Sequence, residues 1–263
     1  MKTQHHSKTG RLFLSACLLF ATVCVSTSTA SIIYDDFSSG NLDKWSVDPA
    51  AGNTYSISSS ILTLKPSATP NYGYSTYTST KSDFSFARST GNPTGVFFDM
   101  PANAFQRTTS AGGVYEEFNF GIKDSGGNTL WARILWNGDG GSVFNIFNNT
   151  TSLVQWNQGD ITNTTYFPTA GKRFALEWDG STANVNLYSA LGVIEGTYVT
   201  AAFSGALGTS GSIYYQFNTP PGVATSEASF SMDNIGVIPE PSTAILAASG
   251  LLGLLACARR RRK

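Results

Sequence analysis

Between residues 31 and 238 the side chains available for chemistry are carboxylates, hydroxyls, amides and aromatic rings. The three cysteines, Cys17, Cys24 and Cys257, and both histidines, His5 and His6, fall outside that stretch. Ser-His-Asp and Cys-His nucleophiles, disulfides and imidazole or thiolate zinc sites are therefore excluded from it. Hydrolysis would have to rest on two carboxylates facing one bond. Residues i and i+2 of a strand share a face at about 6.5 to 7 Å, and Glu177 with Asp179 meets that spacing. The parity that turns Phe174, Leu176 and Trp178 inward turns this pair out to water, where ordinary acidities are expected. Asp179-Gly180 reads as a turn, and Ser181 and Thr182 stand where a further glutamate would be needed. Glu116 and Glu117 are adjacent, so they point to opposite faces. The expectation is no enzyme, with Glu177 the best remaining glycosidase candidate.

Two other groups merit attention. Tyr72 and Tyr74, with Tyr77 close by, sit in a Gly/Ser/Thr-rich stretch; they form either a platform on which a sugar ring stacks or ordinary cross-strand packing. Asp36 and Asp233, helped by Asp35, are candidates for a structural calcium where the first and last strands meet, or else are turn and strand-end aspartates in water.

The ends of the chain carry different signals. Lys2, Lys8 and Arg11 precede an apolar run from Leu12 to Val25, which closes with small residues up to Ala30. This is a secretory signal peptide, residues 1–30, with cleavage expected after Ala30; the alternative is an uncleaved anchor. It implies the export machinery and signal peptidase as partners. At the other end Pro239-Glu240-Pro241-Ser242-Thr243 is followed by fifteen uncharged residues, Ala244 to Ala258, then by Arg259, Arg260, Arg261, Arg262 and Lys263. The prolines keep the first part extended. The apolar part predicts a transmembrane helix and the cations hold the terminus on the cytoplasmic side. Fifteen helical residues cover about 22 Å against a hydrocarbon core of about 30 Å, a marginal span suited to transient residence in the inner membrane.

Residues 31–238 hold nine Lys and Arg against sixteen Asp and Glu, a net charge of −7 hidden by the neutral total. An acidic exported domain cannot neutralise a row of phosphates, so nucleic acid is excluded as a partner. One domain of this length can bury a sizeable core.

Short β-rich runs broken by Gly, Asn, Asp and Ser predict an all-β sandwich or barrel. Glu117–Ile122 and Thr129–Trp136 read as a hairpin about Asp124–Asn128, and Phe174–Trp178 and Val185–Leu187 as a second. Val193–Phe203 and Ser212–Asn218 are further strands. In Ala228–Ile238, Phe230 and Met232 take one parity, Ile235 and Val237 the other, which predicts a bulge at Asp233-Asn234. Trp131, Trp136, Trp156 and Trp178 are expected in the core.

The C-terminal 239–263 segment resembles the PEP-CTERM family of exosortase substrates. That resemblance implies export, cleavage by an exosortase near the motif, and release or attachment in the cell envelope or extracellular matrix, commonly beside exopolysaccharide production. Ile33-Tyr34-Asp35-Asp36-Phe37 with Gly40, Leu42 and Trp45, the 174–188 hairpin, and Ser231–Val237 resemble the first strand, a late hairpin and the closing strand of concanavalin A-like or LamG-type jelly rolls. This implies a two-sheet jelly-roll sandwich over 31–238 whose last strand pairs beside the first. The role expected of it is non-catalytic and structural or interactive, with binding of exopolysaccharide or other glycans as the alternative.

Overall fold

The computed structural model describes residues 31–65, 74–86, 88, 93–102, 104–106, 115–137, 142–158, 171–189, 194–205, 207–218 and 229–238. Ala30, Tyr72, Pro239, Glu240, Pro241, Arg259, Arg260, Arg261 and Arg262 lie outside the described residues.

Among the described residues all paired strands are antiparallel and fall into three sheets; they are numbered in chain order. The first sheet runs β1 (Ile32–Asp35), β18 (Ile235–Ile238), β7 (Thr94–Met100), β13 (Lys172–Trp178), β14 (Thr182–Ser189), β15 (Ile194–Ala202). The second runs β12 (Thr151–Gln158), β11 (Ser142–Asn148), β10 (Thr129–Asn137), β9 (Tyr115–Asp124), β16 (Ser210–Asn218), β5 (Ser75–Ser79), β2 (Trp45–Asp48), with β6 (Phe84–Ser85) also pairing with β16. A smaller sheet holds β3 (Thr54–Ser58), β4 (Ile61–Lys65), β17 (Ser229–Met232) and β8 (Phe105–Gln106).

The two large sheets stack through the alternate residues that periodicity assigns inward. Phe98 and Phe174 from the six-stranded sheet meet Phe118 and Phe120 from the other; the Phe98 ring lies 5.0 and 4.9 Å from those of Phe118 and Phe120. Phe230 of the small sheet closes one side, 4.3 Å from Phe118. Each such ring, moved from water to the interior, contributes about 1.5–3 kcal/mol. Both predicted hairpins form, with Lys123 opposite Thr129 and Trp178 opposite Ala183. The first is closed by Asp124, whose carboxylate accepts from the Asn128 amide at 2.7 Å and the Gly208 amide at 2.8 Å. The second turns at Gly180, with φ 92°, and Asp179 accepts from the amides of Ser181 and Thr182.

The parity change at Asp233-Asn234 is not a bulge. It marks the passage of the chain from one sheet to another: β17 belongs to the small sheet and β18 to the six-stranded one. Phe230, Met232, Ile235 and Val237 are all buried because the turn re-aims the side chains as the sheet changes. β18 inserts between β1 and β7, with Ile32 opposite Val237 and Ile235 opposite Phe98. The last strand thus pairs beside the first, as the resemblance implies. At the start of the chain Asp35 is an internal hub, buried and accepting from the Trp45 indole at 2.7 Å, the Phe37 amide at 3.0 Å and Lys44 at 3.3 Å.

Candidate functional site

The outward face of the eight-stranded sheet carries the densest polar arrangement among the described residues. Strand registers place Gln155, Asn145, Arg133, Asn119, Gln216, Thr76 and Asp48 side by side on seven successive strands, from β12 to β2. Each is at the parity opposite to a core residue, as Asn119 is between Phe118 and Phe120. Seven strands at the usual separation of about 4.8 Å make this row about 29 Å long.

Hydrogen bonds tie the row together. Arg133 donates to Asn145 Oδ1 at 3.0 and 3.1 Å, and Asn145 Nδ2 donates to Gln155 at 3.2 Å. Asn119 Nδ2 donates to Gln216 at 3.3 Å and to Glu117 at 3.1 Å, and Gln216 donates to Thr76 at 3.1 Å. The chain of bonds breaks at the centre. Asn119 is 1% exposed, and its Oδ1 has no hydrogen-bond partner. A buried acceptor left in that state costs about 1–3 kcal/mol.

The row has an aromatic flank. Trp131 stacks on Phe147 with centroids 4.1 Å apart, both half-buried, and the Arg133 guanidinium lies over Phe147 at 5.0 Å. On the other side Tyr74 donates to Glu117 at 2.9 Å, and the residue is 38% exposed. Burial, then the Glu117 charge, pushes the Tyr74 hydroxyl up to about 12, so it remains a donor at any physiological pH. Tyr74 therefore borders the row. Tyr77 is in the core, stacked on Tyr215 at 4.5 Å. Trp178 is in the core as expected, whereas Trp131 faces outward and spends its indole N–H on the Asn149 carbonyl.

The carboxylates distribute as follows. Glu117 is buried on the row face; Glu177 is on the outer face of the six-stranded sheet, so the two do not share a face. The expectation that Glu177 is solvated is wrong. It is buried, accepting from the Tyr188 hydroxyl and from Asn186 at 3.2 Å, and burial raises its pKa above the ordinary carboxylate value. Parity was right, but Tyr188 and a small apolar group of Phe97, Ala175 and Ile238 cover that part of the outer face. Asp179 is consumed by its turn.

Asp36 and Asp233 are near enough to interact electrostatically: desolvation first, then the charges of Asp99 and Asp36, raise Asp233. Asp36 itself, fully exposed, is held low by the hydroxyl and amide of Ser38. Among the described residues no three His, Cys, Asp or Glu side chains group as a metal site.

Comparison with solved structures identifies the class of fold. The catalytic domain of an endo-1,3-β-glucanase (laminarinase) from Thermotoga petrophila superimposes with TM-score 0.51 at 10% identity, covering 81% of this chain and 99% of that one. An endo-1,3-β-glucanase from Streptomyces sioyaensis gives 0.50 at 15%, covering 79% and 95%. Lectin II from Ulex europaeus gives 0.49 at 11%, covering 80% and 97%. The domain is a concanavalin A-like jelly roll. Residues 237–262 match the PEP-CTERM protein-sorting motif, a match that begins at the last two residues of β18. No curated protein matches the chain.

Sequence reasoning did not find the row. Its members, from Asp48 to Gln216, are scattered over the chain and meet only through long-range register. The one local signal is the Glu117-x-Asn119 pair of polar residues at outward positions in an otherwise aromatic strand.

Proposed function

We propose that this chain is an exported cell-envelope or extracellular-matrix protein, handed to an exosortase by its C-terminal signal, whose jelly roll is non-catalytic. The PEP-CTERM motif at 237–262 carries this reading. It is tested by fractionating a producing strain with and without its exosortase: the mature protein reaches the envelope or medium only when the enzyme is present.

The sheet-face row favours one interactive role over a purely structural one, namely binding an extended glycan. The accessible members of the row, Gln155, Arg133, Gln216, Thr76 and Asp48, offer donors and acceptors that match hydroxyls over about 29 Å, beside stacked rings. Glycoside hydrolysis needs two carboxylates across the bond; on this row the described carboxylates are Glu117, tied to Tyr74 and Asn119, and Asp48 at the far end. Isothermal titration with linear oligosaccharides tests the role: binding that is lost in Gln155→Ala and Gln216→Ala supports it, and no binding to any glycan returns the domain to a structural part.

A further inference from the structure

Among the described residues, the outward positions of the eight-stranded sheet carry four charged side chains. Arg133 and Asp48 are members of the row, Glu117 stands one same-face position to one side of it on β9, and Lys123 stands two to the other. Arg133, the cation on the row, is already committed. Its Nε and Nη2 donate to Asn145 Oδ1 at 3.1 and 3.0 Å, its Nη1 lies 3.9 Å from Glu117 Oε1, and its guanidinium sits over the Phe147 ring at 5.0 Å. Glu117 is engaged in turn, by Tyr74 on Oε2 at 2.9 Å and by Asn119 on Oε1 at 3.1 Å. The two charges at the centre of the row therefore offset each other. A carboxylate from solvent could grip Arg133 with both oxygens only by drawing it off Asn145, a fully buried residue, which would leave the Asn145 acceptor unpaired and Glu117 without its counter-charge.

The surroundings act in the same direction. Asp48 is exposed at the far end of the row and repels anions. Lys123 is four residues from Asn119, about 14 Å along the strand, beyond the Debye length of about 8 Å at physiological ionic strength. Residues 31–238 carry a net charge of −7, and a field of that sign slows the approach of any polyanion. What the row leaves open is mostly uncharged: the amides of Gln155 and Gln216, the hydroxyl of Thr76, and the half-buried Trp131 and Phe147 beside them. We propose that the row selects uncharged glycans and rejects chains built from uronic acids. A neutral chain is held by hydrogen bonds to its hydroxyls and by packing against the rings, so its affinity depends little on salt.

This inference rests on the glycan reading of the row, and matched ligands separate their failures. Linear glucans, mannans and galactans are each compared with the same chain after oxidation of its primary alcohols to carboxylates. Binding is measured calorimetrically on protein purified from a producing strain, at about 20 and about 300 mM NaCl, where screening differs strongly. A neutral chain should bind with a Kd that changes less than about twofold between the two, and its oxidised partner about tenfold more weakly at low salt, the gap narrowing about threefold at high salt. An oxidised chain that binds as well as its neutral partner or better, or a gap that salt does not narrow, overturns the charge selection and leaves glycan binding intact. Absence of binding by every chain, neutral and oxidised, overturns the glycan reading itself. Asp48→Lys, at an exposed position on an edge strand, should narrow the low-salt gap about threefold; an unchanged gap overturns the part assigned to Asp48.

Discussion

Arg133 and Asn119 stand directly opposite each other on β10 and β9, yet the guanidinium donates to Asn145 and reaches Glu117 Oε1 at 3.9 Å, leaving Asn119 Oδ1 without a partner. The strongest donor beside the orphan acceptor is spent elsewhere, so the break in the row lies at its centre rather than at a frayed end.

Removing that donor should be costly. Arg133→Met leaves Asn145 Oδ1 buried without its hydrogen bonds, and an uncompensated buried acceptor costs about 1–3 kcal/mol. Urea denaturation should show a lower midpoint with an unchanged slope. A variant as stable as wild type would mean that water reaches this row freely.

Glu177 should make stability depend on pH. Its folded pKa is raised, so the stability it contributes is fully present below the unfolded pKa and is lost as pH rises through the folded one. Glu177→Gln should therefore gain on wild type as pH increases from 4 to 8, in paired thermal melts. A constant difference across that range would show the carboxylate to be solvated after all. Neither protein should release reducing ends from polysaccharide.

The hairpins and the core were readable because Phe118, Phe120 and Ile122, and Phe174, Leu176 and Trp178, repeat at the period of a strand within a few residues. The sheet change at Asp233-Asn234 left a trace in the sequence, a flip of parity, but a bulge and a change of sheet produce the same flip. The cover over Glu177 and the alignment of Asp48 with Gln155 left none. Both arise from strands far apart in the chain, and local alternation says only that a side chain faces outward, not what lies on it.

Two glycines on the six-stranded sheet should respond oppositely to substitution. A Cβ at Gly236 would stand 2.1 Å from the Ile32 carbonyl oxygen and 2.7 Å from the Phe97 ring, whereas at Gly196 it would meet nothing within 4 Å. Gly236→Ala should cost about 1–3 kcal/mol or more by forcing β1 from β18, while Gly196→Ala is close to neutral. Equal melting temperatures would contradict the tight β1–β18 pairing.

Asp233 is raised by desolvation and by Asp99 and Asp36, so Asp233→Asn should stabilise the domain at pH 7. With Asp36 engaged by Ser38, EDTA should leave the melting temperature unchanged. A fall on chelation, absent in Asp233→Asn, would instead establish a structural calcium there.

The pairing of Ile32 with Val237 also bears on how the domain can form. Their contact joins opposite ends of the chain, the kind of long-range closure that slows folding. Under N-first export, β1 is among the first mature segments to cross the membrane; Tyr34 and Asp35 can meet Trp45 early, but among the described strands its ladder partner is β18, which follows last. The sheet cannot be completed on a partly delivered chain. Such a polypeptide keeps that edge open through nearly the whole of its passage, and under the proposed sorting its final locking coincides with arrival of the C-terminal signal.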